Sequence, residues 1–229
     1  MATFMSRPVE PMDFIPELLD NFADNEWSAI IWACQTGNVP DTWTVGSQKP
    51  MTINSTDYAI DIIGLNHDDY ADGSGKAPIT FMLHDVYAEY VKMNTTGTNV
   101  GGWKSCNMRA TILPDILTTM PANVQRGIKE VVKYASAGNM SESVIASTDK
   151  LFLLSEIEVF GTTEYSAAGE GDRYAYFVET SGETKSSIYF LRSPDIESST
   201  KFCLVTSKGL ISRVAANRKS TYTAFAFCF

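Results

Sequence analysis

The chain has 229 residues, an apolar share of 44% and a formal charge of −9, which allow one well-buried core and argue against nucleic acid as a partner. No run is long enough to cross a bilayer, and Arg7, Glu10 and Asp13 interrupt the apolar stretch that a signal peptide needs. Synthesis in the cytoplasm without a Sec route, and no membrane insertion, are therefore expected.

The charge is uneven. From Lys185 onward seven Lys/Arg face only Asp195 and Glu197, a local balance of +5 that leaves −14 for the rest. Cys34, Cys106, Cys203 and Cys228 lack CxxC spacing and read as buried free thiols. A Cys203–Cys228 bridge stays open if their strands are neighbours.

In chain order, residues 1–25 read as an N-terminal lead-in, flexible over 1–13, with Pro16 starting a short helix through Leu18 and Phe22. Residues 26–229 read as a single domain. Asn25 can cap a second helix on which Trp27, Ile30, Ile31 and Cys34 repeat at helical spacing until Gly37 and Pro40 end it. Trp43-Thr44-Val45 and Met51-Thr52-Ile53 read as strands across a turn at 46–50, followed by a strand alternating at Tyr58, Ile60 and Ile62 and another at 79–83. Ser105 can cap a helix carrying Met108 and Ile112 that Pro114 stops, and Pro121 begins another. Residues 131–134 and 150–160 read as strands, the latter with Glu156 and Glu158 outward.

The last third is built differently. Ile188-Tyr189-Phe190-Leu191 is an apolar run, and Phe225, Phe227 and Phe229 alternate with Ala224, Ala226 and Cys228. Three rings on one face and small groups on the other predict a strand in the middle of a layered core, with something packed close over its small side. Between them, 195–222 is polar and reads as irregular apart from one short strand, Phe202-Cys203-Leu204-Val205. The fold class expected is α+β, with two early helices, many short and mostly antiparallel strands and a long irregular C-terminal segment.

Among candidate sites, His67-Asp68-Asp69 with Asp72-Gly73-Ser74-Gly75 carries the residue types of a Ca²⁺ loop. Its spacing is not that of an EF-hand, and Asn, Asp and Gly also suit a plain turn, so no cofactor is expected and Ca²⁺ is the minority reading. His84 reads as a satisfied imidazole, and the glycines at 99–103 as a turn delivering Trp103 into the core. Arg109 and Arg192 stand beside apolar residues and invite buried ion pairs with Glu156 or Glu158.

Several motifs occur together in order. They are Ile63-Gly64-Leu65-Asn66-His67-Asp68-Asp69, Gly75 with Ile79-Thr80-Phe81, Asn94, and Gly101-Gly102-Trp103 with Ser105 and Arg109. Leu151-Phe152-Leu153-Leu154-Ser155-Glu156-Ile157-Glu158, Gly169-Glu170-Gly171, Leu191-Arg192-Ser193-Pro194 and Ala226-Phe227-Cys228 complete them. From about Trp27 onward the chain thereby resembles an uncharacterised domain family common in phage-tail and prophage-associated proteins of gut bacteria.

The resemblance implies a C-type-lectin-like fold of the formylglycine-generating-enzyme type. It also implies likeness to the variable proteins of diversity-generating retroelements, whose C-terminal cassette starts near a Leu-Arg-Ser-Pro-like motif and ends in a Phe-Cys strand. Phe190 stands where that pattern has Trp. The cassette would span 189–222 and present Tyr189, Asp195, Glu197, Ser198, Thr200, Lys201, Thr206, Lys208, Leu210, Ile211, Arg213, Asn217, Arg218, Lys219, Thr221 and Tyr222 to a ligand.

The function implied is recognition of a host cell-surface protein or glycan, with the chain in a phage virion or in the bacterial cytoplasm before release, as a homo-oligomer or within a tail assembly. The alternatives are a formylglycine-generating-enzyme-like or metal-dependent enzyme using His67, Asp68 and Asp69, or a purely structural tail component. The reactive cysteine pair of the enzyme relatives has no counterpart that can be placed in this sequence.

Overall fold

The alternating residues at the chain's end do form a strand, and it lies inside a sheet. The computed structural model describes residues 15–229, so the lead-in expected for 1–13 lies outside the described residues. The helices are α1 (Trp27–Thr36), α2 (Gly102–Ser105), α3 (Leu113–Thr118), α4 (Ala122–Gly127), α5 (Glu156–Phe160) and α6 (Ala175–Glu179). The strands are β1 (Gln48–Ile53), β2 (Thr56–Leu65), β3 (Ile79–Leu83), β4 (Val131–Ser136), β5 (Val144–Asp149) and β6 (Leu151–Phe152), then β7 (Tyr189–Pro194), β8 (Lys201–Val205), β9 (Ile211–Ala215) and β10 (Ala226–Cys228). They form a five-stranded sheet in the order β1-β2-β3-β10-β6, a pair β4-β5 and a three-stranded sheet β7-β8-β9, all with antiparallel pairing. The protein is thus a mixed α+β fold with short helices. None of the described helices is long and apolar enough to cross a membrane.

β10 separates two kinds of interior. Phe227 lies opposite Phe81 of β3, with ring centroids 5.3 Å apart, and Phe229 reaches both Phe81 at 5.2 Å and Trp27 of α1 at 6.0 Å. Phe22 and Trp43 complete this aromatic layer, and Phe225, Phe227 and Phe229 have no solvent exposure. On the opposite face, Cys228 lies across from Thr80, and its thiol points at Asp68 and the Thr80 hydroxyl. Alanine and cysteine leave room there for a buried polar layer. Gly64 on β2 serves the same end, since a Cβ there would sit 2.8 Å from the Tyr174 ring.

Several local expectations are corrected. Residues 15–19 are not helical, and Phe22–Asp24 is a single 3₁₀ turn capped by Asn21. Asn25 does not cap α1; its buried amide instead bonds the backbone of Leu19 and Asn21, and Glu26 takes the cap position. Trp43-Thr44-Val45 is not a strand, because its backbone lies in turns: the Trp43 amide donates to the Pro40 carbonyl and the Ser47 amide to the Thr44 carbonyl, each at 3.0 Å, while the Trp43 indole donates to the Leu19 carbonyl at 3.0 Å. Pro114 opens α3 instead of stopping a helix, which is the position where its missing N–H costs nothing. A π-helical turn at Met108–Ile112 precedes it.

The strand expected over 150–160 ends after Phe152. Ser155 and Glu158 form a capping box that starts α5 and turns Glu156 and Glu158 inward. In the C-terminal segment, β9 pairs fully with β8, so 195–222 is a hairpin with flanking loops and not an irregular stretch.

Replacing Phe227 by alanine removes a fully buried ring from the centre of the aromatic layer. The expected loss is about 3–5 kcal/mol of unfolding free energy, measurable by denaturant titration. A loss under about 1 kcal/mol would contradict the placement of β10 at the centre of the core.

Candidate functional site

Beneath the C-terminal sheet lies a buried network of charges. Arg192, on β7, has no solvent exposure, and all five of its N–H donors can be assigned partners. Nε donates to the Tyr134 carbonyl at 2.9 Å, Nη1 to the Leu153 carbonyl at 2.8 Å and to Glu158 at 2.5 Å, and Nη2 to Glu158 at 2.8 Å and to the Glu170 carbonyl at 2.5 Å. The buried ion pair expected for Arg192 therefore forms with Glu158. Arg109 pairs instead with Asp149 at 2.5 Å, and Asp149 also accepts the Trp103 indole N–H at 3.0 Å.

Glu158 also meets Lys133 of β4 at 2.7 Å, and Lys133 reaches Asp68 at 2.6 Å. Asp68 is closed off by the hydroxyls of Tyr174 and Thr80. Burial alone would raise the Asp68 carboxyl, but Lys133 and the Thr80 hydroxyl outweigh it and hold the group at about 2. Gly171 is required beside this pair, at φ +128°, because a Cβ would lie 2.6 Å from a Glu158 oxygen.

Glu170 is the exception. It accepts from the Ser136 amide at 2.7 Å and from the Ser193 hydroxyl, and burial pushes its carboxyl up to about 7. A cavity of about 120 Å³ opens from this network to solvent past His67, Asp69, Lys76 and Asp172.

The sixteen residues expected to contact a ligand do not form one continuous face. Tyr189, Asp195 and Thr221 are fully buried and are corrected to frame residues. Tyr189 lies under Lys185, whose ammonium is 5.6 Å from its ring. Asp195 pairs with Arg213 at 3.1 Å, while Arg213 also meets Glu197 at 2.5 Å and covers the Tyr165 ring at 4.4 Å. Ile211, half-buried, packs on the core.

Thr206, Lys208 and Leu210 sit at the β8–β9 tip. Glu197, Ser198, Thr200, Lys201, Asn217, Arg218 and Lys219 gather at the other end of the hairpin, five strand residues or about 17 Å away. Tyr222 stands apart, against Tyr90 at 4.6 Å.

The larger group is organised by a residue that the sequence did not mark for this role, Asn99. Its side-chain amide donates to the carbonyls of Ser198 at 2.7 Å and Lys201 at 2.8 Å, and its oxygen accepts the Asn139 amide at 2.8 Å. The Asn94 amide donates to the Ala216 carbonyl and the Ala216 amide to the Thr200 carbonyl, each at 2.9 Å, and Gly97 lies against the Asn217 side chain. Loops 94–101, 138–143, 195–200 and 216–220 therefore share one end of the molecule, where Val100, Met140, Thr200, Asn217, Arg218 and Lys219 are exposed. The asparagine-and-glycine composition of 94–102 is the signal that could have placed these loops together, but their partners lie about a hundred residues away.

The His67-Asp68-Asp69 motif is dispersed by the fold. His67 stacks on Tyr174 at 3.9 Å, Asp68 is engaged inside, and Asp69 turns outward to Lys76 at 3.0 Å. Among the described residues no group of three or more His, Cys, Asp or Glu is arranged to hold a metal ion. His84 is held by the buried Asp61 at 2.8 Å. All four cysteines are buried and free, Cys203 and Cys228 lie in different sheets, and burial pushes the Cys34 and Cys106 thiols up to about 12.

Residues 79–224 match the family described as "Domain of unknown function (DUF6273)", and the chain belongs to that family. No curated protein and no solved structure matches it.

The Glu170 carboxyl gives the network a pH dependence. Its folded value of about 7 lies above the ordinary 4.5, so between these values the folded state holds more protons than the unfolded state. Its contribution to stability should therefore fall by about 3 kcal/mol as pH rises from 4.5 to 7. Thermal melts at fixed ionic strength should show this decline in the native chain and its loss in Glu170→Gln; an unchanged profile in the variant would refute the assignment.

Proposed function

We propose that this member of the family is a ligand-binding protein. In this reading it is a variable protein of a diversity-generating retroelement on a C-type-lectin-like frame of the formylglycine-generating-enzyme type. It is displayed at a phage tail and grips a protein or glycan on the host surface. The supporting observation is the separation between what holds the frame and what is exposed at the loop end of the C-terminal hairpin. The frame is held by the Phe layer and the Arg192 network, in which Thr200, Asn217, Arg218 and Lys219 take no part.

Substitutions at such exposed positions usually change stability by no more than about 0.5 kcal/mol, so a large sequence space is open to them. Hydroxyl, amide and cationic groups beside the apolar Val100 and Met140 provide adaptable polar contacts around a hydrophobic anchor. Lys208 and Leu210, at the far tip, form a second, smaller contact area. The mixed charge there suits a polar or protein surface more than a nucleic acid.

The test is a library randomised at Thr200, Asn217, Arg218 and Lys219, with each purified variant screened on intact bacterial cells and on a glycan array. Partner preference should shift by about tenfold or more, while melting temperatures stay within about 2 °C of the parent. Loss of folding across the library, or unchanged preference in every variant, would refute the reading. The retroelement part is checked in the genome. A reverse transcriptase and a near-copy of the DNA for residues 189–229, differing mainly at adenines, are expected nearby, and their absence would overturn that part alone.

A further inference from the structure

A pocket of about 240 Å³ lies away from the loop end, between the β1–β2 turn, the loop after β3 and α3. Val91, Ile112 and Ile116 form its apolar floor, Tyr87 and Tyr90 its aromatic walls, and Glu89 and Asp115 its charged rim. No Lys, Arg or His lines it, and among the described residues neither carboxylate is in a salt bridge.

The walls are preformed. The Tyr87 ring stacks on Tyr58 at 5.5 Å, Tyr90 leans on Tyr222 at 4.6 Å, and the Asn54 amide ties the turn to the Thr119 carbonyl at 3.3 Å. The Asn54 side chain donates to Glu89 at 3.4 Å and holds that carboxylate at the rim. Tyr90 is nevertheless 63% exposed, which leaves one face of its ring open.

We propose that this pocket takes a primary ammonium on a short aliphatic stem, the chemistry of a lysine side chain presented by a partner polypeptide. The methylenes lie on the isoleucine and valine floor, and the ammonium meets the tyrosine faces and the two carboxylates. Attraction between a cation and an aromatic face adds to the charge pairing, and a lysine side chain can bury its stem while keeping its compact charge at the mouth. A neutral ligand would gain no charge pairing from the two exposed carboxylates, and an anion would be repelled. The volume lies below the roughly 300–1,000 Å³ typical of pockets for drug-sized ligands, so it suits one side chain. This inference does not depend on the C-terminal surface reading.

The test titrates the full chain with n-butylammonium chloride while following the Tyr87 and Tyr90 ring resonances by NMR. Saturable shifts are expected in the millimolar range, weakening as salt is raised. n-Butanol, the neutral isostere, should bind at least about tenfold more weakly, and the E89Q/D115N double variant, with an unchanged melting temperature, should weaken n-butylammonium by about tenfold. Nα-acetyl-lysine amide should bind at least as well as n-butylammonium. Equal binding of n-butanol, no saturation, or unchanged affinity in the double variant would overturn the site. A blocked lysine binding tenfold more weakly than n-butylammonium would overturn the polypeptide source.

Discussion

Arg192 is a guanidinium with no access to water, and a charge in that position is tolerable only when every partner is in place. Its partners come from β4, the segment after β6, α5 and the loop before α6, and Arg192 itself belongs to β7. Through Glu158 and Lys133 the same network reaches Asp68, which is bonded to Thr80 on the five-stranded sheet. One buried cation thus couples all three sheets. Removing any carboxylate from this set would leave a charge unpaired in a low-dielectric interior, a loss of about 3–5 kcal/mol.

The polar layer exists because β10 is asymmetric. Large rings on one face fill the space under α1, while Ala226 and Cys228 on the other keep the chain thin enough for Asp68, Lys133 and Tyr174 to sit behind it. The C-terminal hairpin then grows from β7, the strand that carries Arg192. Its inner residues Phe202, Cys203 and Val205 are buried in the core, and its outer loops are joined to 94–101 through Asn99. The exposed Thr200, Asn217, Arg218 and Lys219 make no bond to the charges beneath, which is the physical basis for the proposal that recognition lies at that end.

Much of the frame was legible because strong local patterns coincide with global placement. The Phe225, Phe227 and Phe229 alternation named both the strand and its burial, and an arginine directly after the apolar run Ile188-Tyr189-Phe190-Leu191 announced an internal pair. The misreadings have identifiable causes. Leu151 to Glu158 alternates well enough to pass for a strand, yet Ser155-Glu156-Ile157-Glu158 contains the capping-box spacing that breaks it and turns both glutamates inward. β9 escaped notice because Ile211-Ser212-Arg213-Val214-Ala215 lies at a sheet edge, half-exposed on both faces, and lacks a clean apolar face. The surface was only partly legible. Composition marked 195–222 as polar but could not tell that Tyr189, Asp195 and Thr221 face inward, because the groups that cover them come from elsewhere in the chain. The asparagine-and-glycine composition around Asn99 marks a loop, but nothing local names Ser198 and Lys201, about a hundred residues on, as its partners.

Native-state hydrogen exchange tests the coupling most directly. The Arg192 amide, bonded to the Leu154 carbonyl, and the amides of β4 and β10 should exchange only through global unfolding, with protection equal to the full stability of the chain. Amides in 95–98 and 217–220 should open locally and much faster. If β7 and β8 instead exchanged through a partial opening that left the five-stranded sheet protected, the C-terminal hairpin would be an independent unit and the account of a single frame held by Arg192 would be wrong.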